Sequence, residues 1–351
     1  MSFEQQSAGD VLARLKTDLA AQTNNQVASV EGSFNSDMLT ANSIEFGNAY
    51  NEMNLMIEAA FAGTSWGNYL TMRAAEFGVI RKEATNALVD LTITGAAGAS
   101  IIKGSLFATV ADLRFYTLAD AVVGATGTVI VKAQCNTAGT AGITDANTIT
   151  NIPYSIPDIT AVNNLEASYN AFNQETDAQL LARYLLKVRT PATSGNVYHY
   201  QQWALSVAGV GQCKVIPLWN GNGTVKVIII DSNNQTAGAD LIKNVSDYIE
   251  SVYPIGATLT VTSPAPFAIN IVANSVQGNY NIQTITNNIN AYFNSNGFSL
   301  SSVSIAQICK ILLSSGITDY DYDTLLVNGT NKDIPISNDQ LPVCGAVTLN
   351  A

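Results

Sequence analysis

From Val225 to Ile230 the chain reads Val-Lys-Val-Ile-Ile-Ile, too short to cross a bilayer and too continuously apolar for a strand with one wet face. A strand covered on both sides fits that run. Before it, Asn220-Gly221-Asn222-Gly223 reads as a turn and Lys214–Pro217 as an earlier strand. After it, Leu241, Ile242, Val245, Tyr248, Ile249 and Val252 keep the cleanest helical period in the chain, and β character resumes at Thr258–Thr262. A buried strand, an amphipathic helix and a further strand must pack as layers of helix and sheet.

The remaining C-terminal sequence continues in kind. Phe267, Ile269, Ile271 and Ala273 alternate, and Ile282, Ile285, Ile289 and Tyr292 line a helix. Another helix is expected from Ser304, with Gln307 at the capping-box position, to Gly316, followed by a strand from Ile317. The order from Val225 resembles a split βαβ sandwich with one added helix. Upstream, residues 10–86 read as helical, with stripes at Val11, Leu12, Leu15 and Leu19, at Leu55, Met56, Ala59 and Ala60, and at Trp66, Leu70, Ala74 and Phe77. These stripes are narrow and call for a partner surface. Residues 88–160 form a Gly-rich β region with runs at Leu88–Thr94, Leu106–Thr109 and Thr128–Ala133. Thr176 and Gln179 then cap a helix bearing Leu180, Leu181, Tyr184, Leu185 and Val188, which Pro191 ends. The expected class is α+β, divided into an N-terminal helical segment (1–86), a small Gly-rich β domain (87–165) and a C-terminal α+β domain (166–351).

Charged residues make up 12% of the 351, about half the usual quarter. The polar surface therefore rests on Asn, Thr, Ser and Gln. Amides cost less to bury in an interface than charges, which suits a subunit held among neighbours; a soluble protein with a low-charge surface fits equally. The net charge of −11 and the absence of a Lys/Arg cluster argue against nucleic acid and anionic membranes as partners. Met1–Asp10 has neither the basic start nor the apolar core of a signal peptide, so synthesis and residence in a cytoplasm are expected until something larger carries the protein out. Cys135, Cys213, Cys309 and Cys344 show no zinc spacing and read as reduced thiols.

The motifs that imitate chemistry fail in detail. His199 is the single histidine, so any triad would have to use it, and on the expected helix it faces away from the Val197–Trp203 stripe. Asp319-Tyr320-Asp321-Tyr322-Asp323 opens like a calcium loop, but Thr324 and Thr330 stand where Gly and Glu are required. A strand with carboxylates on one face and tyrosines on the other explains it as well. Gly95–Ser100, Gly209-Val210-Gly211 and Gly221-Asn222-Gly223 lack the strand–helix context of phosphate loops. Glu175 and Asp177 at a helix start are accounted for by the macrodipole. No catalytic residue, metal or cofactor is implied.

The most specific segment runs Ser194-Gly195-Asn196-Val197-Tyr198-His199-Tyr200-Gln201-Gln202-Trp203-Ala204 to Val207-Ala208-Gly209-Val210: a turn, a short helix with Val197, Tyr200, Trp203, Ala204 and Val207 on one face, and a second turn. Glu175-Thr176-Asp177 with Leu180 and Arg183 precedes it, and Pro254-Ile255-Gly256-Ala257 follows. Together with Gly67, Leu70, Gly78 and Arg81, with Ile102 and Gly104, and with Pro217, Gly223 and Val261, this ordered series resembles the baseplate J-like family of contractile phage tails and tail-derived particles. The chain departs from that pattern at Ala111-Asp112, Gly142-Ile143 and Phe172-Asn173.

The resemblance implies a structural wedge subunit rather than an enzyme. Such a subunit pairs with another copy of itself and with a second wedge protein, and six wedges surround the hub and tube. On that resemblance, a ring of wedges would hold the sheath in its extended state and rearrange when host contact triggers contraction. It would be assembled in the bacterial host cytoplasm and reside in the baseplate of a phage, a tail-like bacteriocin or another injection device. A secreted glycan-binding adhesin and a tail-associated hydrolase are the other classes; the lack of a signal peptide speaks against the first and the single histidine against the second.

Overall fold

The computed structural model describes residues 6–190 and 192–350, so Pro191, expected to end a helix, lies outside the described residues. The protein is α+β and divides into two compact units, Met1–Arg81 with Thr176–Leu185, and Lys82–Glu175 with Leu186–Ala351.

The first unit is helical: α1 (Ala8–Gln22), α2 (Phe34–Ala60), α3 (Gly67–Ala75) and the first turns of α4 (Asp177–Arg189). A reciprocal cap opens α1, with Asp10 N–H donating to Ser7 Oγ (3.1 Å) and Ser7 N–H to the Asp10 carboxylate (3.0 Å). Helix was expected as far as residue 86, but α3 stops at Ala75. There Val79 N–H returns to the Ala74 carbonyl (3.0 Å), closing the helix end and freeing the chain to extend.

Against α1, α2 turns small residues: Ser36, Ser43 and Gly47 are its buried positions. A Cβ on Gly47 would lie 3.0 Å from the Ala8 nitrogen. Leu55 and Met56, expected as an apolar stripe, face solvent, as do Phe34, Met38, Ile44, Phe46 and Met53. The unit's apolar centre lies instead between α3 and α4, where Leu70, Ala74, Val79, Leu180 and Tyr184 pack together. Trp66 does not join that stripe; it stands exposed at the N-cap of α3, edge-on to Tyr69.

The second unit begins with a β domain: β1 (Asn86–Gly95), β2 (Ser100–Ile101), β3 (Leu106–Thr109), β4 (Arg114–Thr117), β5 (Ala121–Val122), β6 (Thr128–Ala138), β7 (Ile149–Asn151) and β8 (Ile159–Asn163). Six strands run antiparallel in the order β7-β3-β4-β6-β1-β8 around Leu91, Ile93, Phe107, Phe115 and Val131, while β2 and β5 form a separate pair. The wholly buried Asn164 fastens β8 back onto β7. Its Oδ1 accepts from Thr148 N–H (3.0 Å) and Ile149 N–H (2.8 Å), and its Nδ2 donates to the carbonyls of Asp145 and Glu166 (2.8 Å each). All four bonding positions of the amide are used.

Next come α5 (Val197–Ser206), β9 (Val210–Pro217), β10 (Thr224–Asp231), α6 (Ala239–Val252) and β11 (Thr258–Thr262), with the sheet ordered β11-β10-β9. Val227 to Ile230 are completely buried, as the unbroken apolar run requires. The expected βαβ unit is β10–α6–β11, whose strands pair in parallel. A further sheet follows from β12 (Ala265–Gly278), α7 (Ile282–Asn296), β13 (Ser302–Val303), α8 (Ile305–Ser314), β14 (Ile317–Val327), β15 (Ile334–Pro335) and β16 (Gln340–Leu349). There β12 lies between β14, antiparallel, and β16, parallel.

Two local expectations need correction. Ser304 makes no side-chain cap for α8; the first free N–H, on Ile305, goes to Asp333 Oδ1 at 2.9 Å instead. On β14 the tyrosines do not share a face. Register shifts opposite β12 leave Tyr320 half-buried and turn Tyr322 outward beside the aspartates.

Candidate functional site

The motif residues, scattered over some two hundred positions of sequence, gather in three places. In the helical unit, Asp177 at the start of α4 accepts the Gly67 N–H (2.9 Å) on one carboxylate oxygen and the Arg81 guanidinium (2.6 Å) on the other. Arg81 also reaches Thr71 Oγ1 (2.8 Å) and the Gly67 carbonyl (3.1 Å). Arg183, two turns along α4, donates from both terminal nitrogens to the Ile80 carbonyl (3.2 and 3.1 Å). Leu70 lies beneath in the core, and Gly78 forms the turn that brings residues 80 and 81 alongside α4. The Gly67 N–H and the Arg81 guanidinium hold the Asp177 carboxyl below its usual range. The macrodipole alone therefore does not account for Asp177. It is one jaw of a clamp across segments 110 residues apart.

The second cluster lies in the larger unit. Glu175 is buried and accepts the Lys82 N–H (3.1 Å), while its own N–H donates to the Lys82 carbonyl (2.9 Å). Lys82 Nζ reaches the carbonyl of Val210 at 2.8 Å. Beside it Gly209, at φ +88°, presses against Phe172: a Cβ there would lie 2.5 Å from the ring and 3.3 Å from Leu241. Only glycine meets both the left-handed backbone and the close approach. Lys82 was not singled out by sequence, since a lone lysine in an extended stretch carries no periodic signal.

The third cluster closes one end of the central sheet. Asn196 caps α5, its Oδ1 accepting from His199 N–H at 2.9 Å, and Gly195 N–H donates to His199 Nδ1 at 3.3 Å. The ring of Pro254 sits 2.5 Å from where a Gly195 Cβ would be, and Gly195 (φ +72°) follows Ser194, also left-handed at +49°. Tyr200 is buried below, in edge contact with Trp203 (5.1 Å). Gly256 and Gly223 lie adjacent, where Thr258 N–H bonds the Gly223 carbonyl (2.7 Å). His199 does not face away from the stripe: four residues before Trp203, it stacks on that indole at 3.9 Å. Trp203 is consequently half-buried. Burial, and then the nearby Lys187, push the His199 imidazole below its ordinary value, so the ring is neutral at pH 7 with Nδ1 as acceptor.

Among the described residues no three His, Cys, Asp or Glu side chains are disposed to hold a metal ion. Burial raises the Cys213 thiol to about 12 and the Asp231 carboxyl to about 6. Neither residue adjoins a nucleophile–base pair, and Asp231 accepts the N–H groups of Asn233 (2.9 Å) and Gln235 (2.7 Å) as a turn-former. All three clusters join segments to one another.

Segment by segment, the chain matches known models: residues 90–171 the baseplate J-like protein barrel domain, 192–263 the baseplate J-like central domain and 266–350 the baseplate J-like protein C-terminal domain. It is 31% identical over 359 residues to the phage-like element PBSX protein XkdT of Bacillus subtilis (strain 168), covering 99% of this chain and 98% of that protein. The chain belongs to the baseplate J-like family. The family's barrel model spans β1–β8, its central model α5–β11 and its C-terminal model β12–β16. The N-terminal helices lie outside these three segments but inside the full-length match. Baseplate protein gp47 of Escherichia phage Mu is 32% identical over 236 residues, covering 62% of this chain and 64% of that protein. Among solved structures, the six-fold symmetrised baseplate of the anti-feeding prophage contains a similar chain, at 8% identity and a TM-score of 0.43 over 98% of this chain and 99% of that one. Family membership makes the protein a structural component of a phage or phage-like tail baseplate. No described helix is long and apolar enough to cross a membrane.

Proposed function

We propose that this protein is a wedge subunit of a contractile tail baseplate, working mechanically and not as a catalyst. It is assembled in the bacterial host cytoplasm and carried in the mature particle. Its partners are other copies of itself, a second wedge protein, and the hub, tube and sheath-initiating proteins; nucleic acid and membrane insertion play no part. Wedges of this kind encircle the hub, and the ring passes from one set of contacts to another when host contact releases the sheath.

The observation that carries the reading is the inside-out construction of α2. Its small residues are spent on α1, while Phe34, Met38, Ile44, Phe46, Met53 and Met56 remain in water. A 27-residue helix with so much apolar surface exposed is built to be covered by another chain. On this reading the N-terminal segment (1–86) is the joining element, followed by the Gly-rich β domain (87–165) and a C-terminal α+β assembly domain (166–351). The motif residues, from Gly67 to Gly256, hold these parts in shape.

Deleting residues 1–86 would also uncover Leu180 and Tyr184, which pack on Leu70 and Ala74. The cleaner test is therefore the double substitution Met38→Glu with Met56→Glu, which alters only exposed positions. Co-expressed with the second wedge protein, the wild type should give a larger, defined complex by light scattering, and the double variant should not. A variant that assembled normally would show that α2 is not the joining surface.

A further inference from the structure

We propose that Asn222 is a spontaneous modification site, converting to aspartate and isoaspartate in the folded protein ahead of every other Asn-Gly pair in the chain. Four such pairs occur: Asn220-Gly221, Asn222-Gly223, Asn296-Gly297 and Asn328-Gly329. In this reaction the backbone nitrogen of the glycine attacks Cγ of the asparagine. The new N–Cγ bond forms as Cγ–Nδ2 breaks, and the glycine N–H proton leaves with the departing ammonia. Water then opens the resulting succinimide at either carbonyl, giving aspartate or isoaspartate. The net change is amide plus water to carboxylate plus ammonium, with no oxidant or cofactor. A following glycine favours it because no Cβ obstructs the attack.

The fold distinguishes the four pairs. Asn328 is held at both ends of its amide, Oδ1 accepting from Asn270 N–H (2.8 Å) and Nδ2 donating to the Ala268 carbonyl (3.1 Å). Asn296 Nδ2 donates to the Tyr292 carbonyl (2.7 Å), and Gly297 is wedged against Gln212. Neither amide can swing onto its own backbone without breaking these bonds. Asn220 and Asn222 lie in the exposed β9–β10 turn, and their side-chain amides have no hydrogen-bond partner among the described residues. What separates these two is the attacking nitrogen. Gly221 N–H is tied to the Leu218 carbonyl (3.2 Å), closing the turn, whereas Gly223 N–H has no acceptor among the described residues. Asn222 alone combines a free amide with a free nucleophile, although its glycine is the more closely flanked of the two, with the Gly256 carbonyl 3.4 Å from where a Cβ on Gly223 would lie.

The product would alter its surroundings. Each conversion adds a negative charge to a turn whose neighbouring cation is Lys226, lying 5.3 Å over the ring of Trp219. The isoaspartate form also lengthens the backbone by one atom between β9 and β10, beside the exposed Leu218 and Trp219. The surface offered there would therefore change with the age of the particle.

The test is peptide mapping of the full-length protein after incubation at mildly alkaline pH, with isoaspartate read by enzymatic methyl transfer. Wild type should accumulate acid at Asn222 at least about tenfold faster than at Asn296 or Asn328, the order of rate that one or two hydrogen bonds can withhold. Asn222→Gln should abolish the early signal, since its longer side chain would have to close a larger ring. In urea the four pairs should converge to similar rates. Conversion led by Asn220, Asn296 or Asn328 in the folded protein would overturn the proposal, as would equal rates at all four sites before unfolding.

Discussion

Two helices of this chain invert each other. In α6 the large residues Leu241, Val245 and Ile249 are buried against the central sheet, and Asp240, Lys243, Asp247 and Glu250 face outward together with the exposed Tyr248 and Val252. In α2 the buried face is Ser36, Ser43 and Gly47, and the methionines and phenylalanines point outward. In α6 the apolar residues keep to one stripe, whereas in α2 they spread around most of the circumference that α1 leaves uncovered, so periodicity alone does not say which side of α2 is the inside. α6 is completed by its own chain, whereas α2 leaves its larger apolar face for another. The lesson extends to their surroundings: apolar burial holds the central layer together, while a carboxylate–guanidinium clamp fixes the start of α4 in the helical unit.

Substitution separates the two helices most sharply. Ile249→Ala removes a completely buried side chain and should destabilise the isolated protein by about 2–5 kcal/mol in denaturant titration. Met56→Ala, at an exposed site of similar bulk, should change it by less than ~0.5 kcal/mol and register only when partners are present. A large loss at Met56 in a proven monomer would break the contrast.

Next in size is Gly47→Leu. With Ala8 backbone only 3.0 Å from a Cβ at this position, the larger side chain must part α1 from α2, at a cost of roughly 1–3 kcal/mol. Hydrogen exchange should show both helices losing protection while α6 keeps its own.

Trp203→Ala should cost about 2–3 kcal/mol, under the full-burial range, because the indole is half-buried between His199 and Tyr200. A loss below about 1 kcal/mol would mean the stacked pair adds little to the central layer.

Acid should loosen the regions in sequence. His199 has a folded value below its unfolded one, so its contribution is present above the ordinary imidazole range and declines as pH falls through it. Asp177 is likewise depressed, so the clamp keeps its stabilisation until pH falls below the ordinary carboxylate range. Near-ultraviolet dichroism of Trp203 should respond in the first window and α3–α4 protection only in the second. Both effects should be small, of the order of 1 kcal/mol or less, since the Asp177 side chain is 45% exposed and solvent screens it.

Much of this was legible in the sequence because apolar period reports on elements that the chain itself completes. The Val225–Ile230 run and the alternation in β12 read onto buried faces, and in the α6 stripe Leu241, Val245 and Ile249 do so while Tyr248 and Val252 at its edge stay exposed. Long-range polar pairing was not legible. Nothing in Asp177 or Arg81 encodes their meeting, and a pattern read in windows of a turn or two cannot see a bond between segments so far apart. Asn164 was silent for the same reason: a buried amide and a surface one look alike until their partners are known. The direction of His199 was not legible either, because the indole four residues on sets where its ring lies, not the tyrosines beside it.

The β domain leaves the chain where it entered. Leu88 and Tyr169 exchange backbone bonds at 2.8 Å each way, Thr85 N–H meets the Phe172 carbonyl at 2.9 Å, and Glu175 N–H meets that of Lys82 at 2.9 Å. Entry and exit thus run side by side as a two-stranded stalk, and the strands between are closed on themselves by Asn164. Such a module behaves as a detachable cassette. A short turn joining Thr85 to Phe172 would span the gap left by its removal, and a foreign domain with adjacent termini could take its place. Removing the strands on the stalk would leave the Lys82–Glu175 pairing, and the Lys82 bond to the Val210 carbonyl, in place on the central layer.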